Sequence, residues 1–310
     1  MLRLPPREKI MTAPAIPPQA ADRPRVICFG EILWDILPSG RFPGGAPMNV
    51  AYHLQMLGLE PVLVSAVGRD PNGDELRRIL DRWGLDQTCV RRHTGFPTGT
   101  VRATLSAGGE PAYNIARDVA WDHLIADAAA VRRTQAARAL VFGSLAQRSA
   151  ANRATLERLL SVLPLGADRI FDVNLRPPHD DLDLVRALAA RATILKLNAA
   201  EAARLAEGGE ETPGKEADHA RLLAETFGCA AVVVTCGARG AGVWLQDRWF
   251  WEVGRPVQVA DTVGAGDAFL AAFISGWLRG AAPAACLAAA SRLGEWVASR
   301  PGATPVYAAR

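Results

Sequence analysis

The chain of 310 residues, 49% of them hydrophobic, is long enough to bury a sizeable core in one large domain. Lys and Arg nearly cancel Asp and Glu, the formal charge is +3, and no basic block or aromatic-interleaved basic stripe offers a nucleic-acid footprint. Five scattered cysteines, none spaced as C-x-x-C, speak against a disulfide scaffold or a zinc knuckle and suit a reducing, cytoplasmic setting, and no apolar stretch is long enough for a membrane span.

Residues 1–24, rich in Pro and Ala and without the apolar region of a signal peptide, read as a mobile tail, which leaves 25–310 as the folded domain. From Arg25 onward, short β-branched or apolar runs alternate with segments of helical period. The strands predicted are 26–30, 61–67, 139–142, 169–173, 193–196, 231–235 and 257–260. The helices predicted are 47–57, 72–83, 151–163, 182–190, 199–207, 217–227, 268–278 and 284–298. That rhythm implies an α/β fold, a doubly wound and mainly parallel sheet flanked by helices. Two places break it. Residues 98–105 and 112–115, joined through "SAGGEP", predict a β-hairpin inserted at about 96–117 as a small lid, and 242–245 with 248–251 predict a second hairpin at an edge of the main sheet.

The stretch "DTVGAGD" (261–267) joins the predicted strand 257–260 to the predicted helix 268–278. The first N–H groups of a helix lack intrahelical partners and sit at the positive end of its dipole. A first turn built from Gly264, Ala265 and Gly266 therefore lets a phosphate approach the backbone closely. The glycines do not explain Asp267, because a carboxylate beside such a cradle repels an anion unless it accepts a proton from an attacking hydroxyl. Phosphoryl transfer accounts for both features; helix capping accounts for Asp267 alone. No Walker A pattern is present and no G-x-G-x-x-G follows the first strand, which disfavours P-loop kinases and dinucleotide-dependent dehydrogenases. "GARGAG" (237–242) serves equally as a nucleotide loop or a plain turn, and the five histidines show no metal-ligand spacing.

Taken in order, "GEILWDILP" (30–38), "PGGAPMNVAYHLQMLG" (43–58), "DVNLRPP" (172–178), "KLNAAE" (196–201), "VVVTCGARGAGVW" (232–244), "DTVGAGDAF" (261–269) and "RPGATP" (300–305) resemble the ribokinase-like (PfkB) carbohydrate kinases, and within them most of all the bacterial fructokinases. The resemblance implies a ribokinase-like fold and transfer of the γ-phosphoryl group of ATP, with Mg2+, to a primary hydroxyl of a small sugar. It assigns Asp267 as the catalytic base and Gly264, Ala265 and Gly266 as the anion hole. Asp35, Gly44, Gly45 and Asn49 would bind the sugar, and the fork of Arg176 would clamp oxyanions. Thr235, Gly237 and Gly240 would line the ATP site, with Asn198 near the phosphates. Glu201 would help hold Mg2+ through water, and Asp261 would face a monovalent cation such as K+. Plainer readings stand beside these: a surface glutamate for Glu201 and a turn-capping aspartate for Asp261.

The substrate this favours is D-fructose, giving fructose 6-phosphate. The alternatives are ribose, a nucleoside or a keto-deoxy sugar acid, and, in a different class, a relative that binds sugar or nucleotide without catalysis. Asp35 is placed at the end of the first strand, and the eight residues 36–43 are too few for the pair of lid strands that many relatives insert there. The lid is expected to be the single hairpin, with Tyr113 and Phe96 either closing over substrate or only packing. The expected partners are sugar and ATP, with neither nucleic acid nor membrane, and the chain is expected to be a monomer or homodimer.

Overall fold

The computed structural model describes residues 23–37, 40–105 and 111–307, with the backbone alone for 103–105 and 111–113. The tail expected at 1–24 lies outside the described residues except for Arg23 and Pro24, as do nearly all of the "SAGGEP" turn and the side chain of Tyr113. In chain order the elements are β1 (Arg25–Phe29), β2 (Leu33–Leu37), β3 (Gly40–Gly44), α1 (Ala46–Met56), β4 (Glu60–Gly68), α2 (Pro71–Arg82), β5 (Val90–His93), β6 (Gly99–Leu105), β7 (Pro111–Ile115), α3 (Ala128–Thr134), β8 (Ala139–Gly143), α4 (Ala150–Val162), β9 (Asp168–Asp172), α5 (Leu182–Ala189), β10 (Ile194–Asn198), α6 (Ala199–Glu207), α7 (Glu216–Phe227), β11 (Ala231–Thr235), β12 (Gly240–Leu245), β13 (Arg248–Val253), α8 (Ala265–Leu278) and α9 (Pro283–Ala298).

The main sheet runs β13-β12-β11-β10-β9-β8-β1-β4-β5. Only its β12–β13 edge is antiparallel, as the predicted second hairpin requires. Both faces of the parallel strands are covered, so their sequences are almost continuously apolar. In β1, Val26 and Cys28 join one core while Ile27 and Phe29 join the other. The first core is filled from α1, α2, α8 and α9, the second from α3 to α7.

Three expectations need correction. Residues 257–260 form no strand. β13 already closes the sheet edge, and the segment crosses instead to the end of α9, where the N–H groups of Ala260 and Asp261 donate to Ala298 O at 2.9 and 3.2 Å. Secondly, the predicted hairpin, β6–β7, does not stand alone. β2 and β3 pair antiparallel from Leu33↔Gly44 to Leu37↔Gly40, and a second sheet runs β3-β2-β6-β7. The eight residues suffice because a hairpin needs only two residues at its turn. Thirdly, Asp35 lies in β2 of this lid sheet, whereas the first strand ends at Phe29.

Candidate active site

The start of α8 stands beside the C-terminal half of β10, where a Cβ on Gly266 would fall 3.3 Å from Lys196 Nζ, and α6 begins where β10 ends. Gly264 caps α8 with φ +78°, a conformation suited to glycine, and a Cβ there would fall 2.4 Å from the Cβ of Ala303. No side chain caps α8. Ala265 N–H donates to Thr262 O at 3.3 Å, and among the described residues nothing accepts from the N–H of Gly266 or Asp267. Those two donors stay available to an anion.

Asp267 stands in this first turn, its carboxylate Oδ2 accepting from Asn49 Nδ2 in α1 at 2.8 Å. Burial first, then the nearby Asp172 carboxylate, push the Asp267 pKa up to about 6, against the hydrogen bond from Asn49 and the charges of Lys196 and Arg176. Asn49 is buried and its other amide atom, Oδ1, has no hydrogen-bond partner, which leaves an acceptor unfilled beside the carboxylate. Asp35 approaches from the lid sheet. A Cβ on Gly44 would fall 2.1 Å from Asp35 Oδ2, so the carboxylate can occupy its place only because Gly44 has no side chain. Burial raises Asp35 to about 6; Arg176 opposes the rise and the charge of Asp267 adds to it. Gly45 follows as the N-cap of α1. The structure thus gathers Asp267, Gly264, Ala265, Gly266, Asn49, Asp35, Gly44 and Gly45. Arg176 is exposed and donates to Leu175 O at 2.9 Å, while its charge acts on Asp35 and Asp267.

The remaining sequence-derived residues are engaged differently. Asn198 and Glu201 cap α6 reciprocally: Glu201 N–H donates to Asn198 Oδ1 at 2.8 Å, and Asn198 N–H donates to Glu201 Oε2 at 2.9 Å. Glu201 Oε1 accepts from Leu175 N–H at 2.7 Å, so the side chain is buried with both oxygens bonded, not the exposed surface glutamate of the plainer reading. Thr235 ends β11 and donates to Leu197 O at 3.3 Å. Gly237 borders open space, whereas Gly240 is pressed against β13, where a Cβ would fall 2.1 Å from Glu252 O. Asp261 accepts from Val263 N–H at 3.0 Å and Gly302 N–H at 3.1 Å, fastening the loop before α8 to the C-terminal segment. His53 is a core residue, bonded to Tyr307 and Ala303, and Phe96 stacks on His123 with ring centroids 3.5 Å apart.

Two charged residues at the site escaped the sequence reading. Glu31, directly after the β1 turn, is 3% exposed, and its Oε2 has no hydrogen-bond partner. Burial drives its pKa up to about 7, against its own backbone amide, Arg176 and the Ala46 amide, with Asp267 adding to the rise. Lys196 is buried in β10 and donates to Asp172 Oδ1 at 2.9 Å. The available signal was a charge inside an otherwise apolar run, which soluble proteins rarely bury without a partner or a task.

Residues 39–309 match the pfkB family carbohydrate kinase. The fructokinase of Klebsiella pneumoniae is 29% identical over 263 residues, which cover 81% of this chain and 84% of that protein. The aminoimidazole riboside kinase of Salmonella typhimurium is 27% identical over 259 residues, covering 79% of this chain and 78% of its own. The crystal structure of fructokinase from Vibrio cholerae O395, bound to fructose, ADP and calcium, shares the fold with a TM-score of 0.76 at 23% identity, covering 91% of this chain and 94% of that one. With the match running nearly from the lid to the C-terminus, the chain belongs to the PfkB family of carbohydrate kinases and is a sugar phosphotransferase.

Proposed function

We propose that the protein transfers the γ-phosphoryl group of ATP to a primary hydroxyl of a small sugar, with D-fructose giving fructose 6-phosphate. The observation that carries this reading is the Asp267 carboxylate in a helix start that no side chain caps, hydrogen-bonded to Asn49 and close enough to Asp35 for its charge to act there. In that place Asp267 takes the proton of the attacking hydroxyl, while Asp35 and the free Oδ1 of Asn49 accept and orient the sugar's other hydroxyls. The N–H groups of Gly266 and Asp267 stabilise charge on the group in transit. In phosphoryl transfer most of the acceleration comes from positioning and electrostatics, so a base with a pKa near 6 is already ionised at neutral pH and serves well.

ATP would lie along the rim past Gly237, whose missing side chain leaves open space, with Thr235 and Gly240 shaping the turn and Asn198 near the phosphates. Magnesium supplies charge neutralisation between the phosphates. Glu201 fits a water-borne contact to it, since each carboxylate oxygen keeps a second lone pair beyond its bond to an amide. Asp261 keeps the same capacity toward a monovalent cation. The five cysteines are free and buried, which suits a reducing compartment.

A riboside is the second reading, favoured by the 27% identity to an aminoimidazole riboside kinase. ADP release measured over a panel of fructose, ribose, a nucleoside and a keto-deoxy sugar acid separates them. Fructose should give the highest kcat/KM. A riboside far ahead of fructose transfers the assignment to the second reading, and tight sugar binding without turnover of any sugar ends both.

A further inference from the structure

β10 holds one buried lysine among apolar neighbours. Side chains alternate along a strand, so Lys196 shares its face with Ile194, which packs in the core of α1 and α8, while Leu195 and Leu197 enter the opposite core. Lys196 is 6% exposed and its partner Asp172 is 3% exposed, with Asp172 Oδ2 left without a hydrogen-bond partner. On the other side of the ammonium stands the first turn of α8. A Cβ built on Gly266 would fall 3.3 Å from Lys196 Nζ. A buried ion pair gains little over apolar side chains of the same volume, so stability alone is a poor reason for this one.

The geometry points to Lys196 as a positioning residue for phosphoryl transfer: held by Asp172, its ammonium backs the anion hole at the start of α8 and screens Asp267 and the moving phosphoryl group from the Asp172 carboxylate. The inference rests on the assignment of the α8 start as the phosphoryl cradle. Removing the ammonium would leave two carboxylates facing each other beneath an incoming anion, in a medium where charges interact far more strongly than in water. The charges of Asp172 and Lys196 already act on Asp267 in opposite directions. Gly266 acquires a second role here, because a side chain at that position would press on the ammonium. Among the described residues Lys196 hydrogen-bonds and pairs with Asp172, and with none of Asp35, Gly44 and Asn49, so its loss should spare sugar binding.

Lys196→Met keeps most of the stem and removes the charge. It should lower kcat about 100-fold, the scale seen when one transition-state hydrogen-bond donor is deleted, with sugar KM and ATP Kd within about threefold of wild type. The complex of ADP, magnesium, aluminium fluoride and sugar mimics the transferring group, and its affinity should fall by a similar factor while ADP alone binds normally. A folded Lys196→Met with wild-type kcat and wild-type affinity for that complex overturns the inference. If circular dichroism shows that Lys196→Met does not fold, Gly266→Ala decides: its methyl displaces the ammonium and should weaken the fluoride complex at least tenfold, and unchanged affinity removes the role. Asp267→Asn runs alongside as the control. Its retention of activity would topple the cradle assignment itself, whereas an inactive Asp267→Asn beside a fully active Lys196→Met sinks the lysine alone.

Discussion

Helices α6 and α8 start beside the same rim of the sheet with opposite solutions for their free N–H groups. The start of α6 is closed by its own residues, Asn198 and Glu201 bonding each other's backbone, with Leu175 N–H filling the remaining oxygen. The start of α8 is left open by Gly264, and its one acidic side chain is turned aside to Asn49. Acidic residues in a first turn stabilise a helix by meeting its dipole, which is what Glu201 does. Asp267 bonds none of its own helix's amides and sits in surroundings that raise its pKa to about 6. An acidic first-turn residue that fails to cap is a better sign of chemistry than one that caps.

The sharpest way to break this contrast is Asp267→Asn. The amide keeps the size and can still bond Asn49, but it cannot take a proton. Turnover should fall about 1,000-fold, within the range for loss of a general base, while ATP and sugar binding persist. Isothermal titration beside a coupled assay checks both halves, and near-normal kcat would remove Asp267 from the role of base. Next in size is Gly264→Ala, which adds a Cβ at φ +78° against the Ala303 backbone. The helix start must then shift or push the C-terminal segment away, so kcat should fall about tenfold and the melting temperature by several degrees, for a strain on the order of 1–3 kcal/mol. A Gly264→Ala protein equal to wild type in both would show that the open start tolerates a side chain.

Much of this was legible in the sequence, and the failures have physical causes. The parallel strands were found because a sheet covered on both faces needs unbroken apolar runs. β5, "VRRH", was missed because it is an edge strand with two of its four residues exposed, and the seven-residue α3 because it is too short for a clear period. Residues 257–260 were read as a strand on composition alone, although Val259 is 57% exposed and the sheet edge was already occupied. The lid pair β2–β3 was dismissed by counting residues from Asp35, when Asp35 itself lies within the first strand of the pair. At the site, glycines and an aspartate at a helix start announced themselves. The Asn49–Asp267 bond spans 218 positions, and nothing local pointed from one end to the other. Glu31 and Lys196 went unseen because a single charge in an apolar run does not reveal which partner it will meet.

The carboxyls at the open start also tie activity and stability to pH with opposite slopes. Asp267 must be ionised to act, so kcat/KM should drop about tenfold per unit below pH 6. Asp267 and Asp35 near 6 and Glu31 near 7 lie above their unfolded values of about 4, so the folded state binds the extra protons. Their contribution to stability is therefore complete below about pH 4 and lost as the pH rises through 6 to 7. Between pH 8 and 6 the melting temperature should rise on acidification, opposite to turnover below pH 6. Glu31→Gln should flatten the part of that rise around pH 7, and an unchanged slope would place the titrating group elsewhere.

The smallest effect expected comes from opening α6 in turn. Glu201→Gln replaces two acceptor oxygens with one oxygen and an amide group, so either Asn198 N–H or Leu175 N–H must face a donor instead of an acceptor. An unsatisfied amide at this depth costs about 1–3 kcal/mol, a loss of a few degrees in melting temperature for a chain of this size. Turnover should stay within about threefold of wild type, because an oxygen remains to hold a magnesium-bound water. A large fall in kcat that recovers at high magnesium concentration would show that the magnesium-bound water needs the full carboxylate charge, and the difference between α6 and α8 would then be chiefly one of ligand, cation against phosphoryl group.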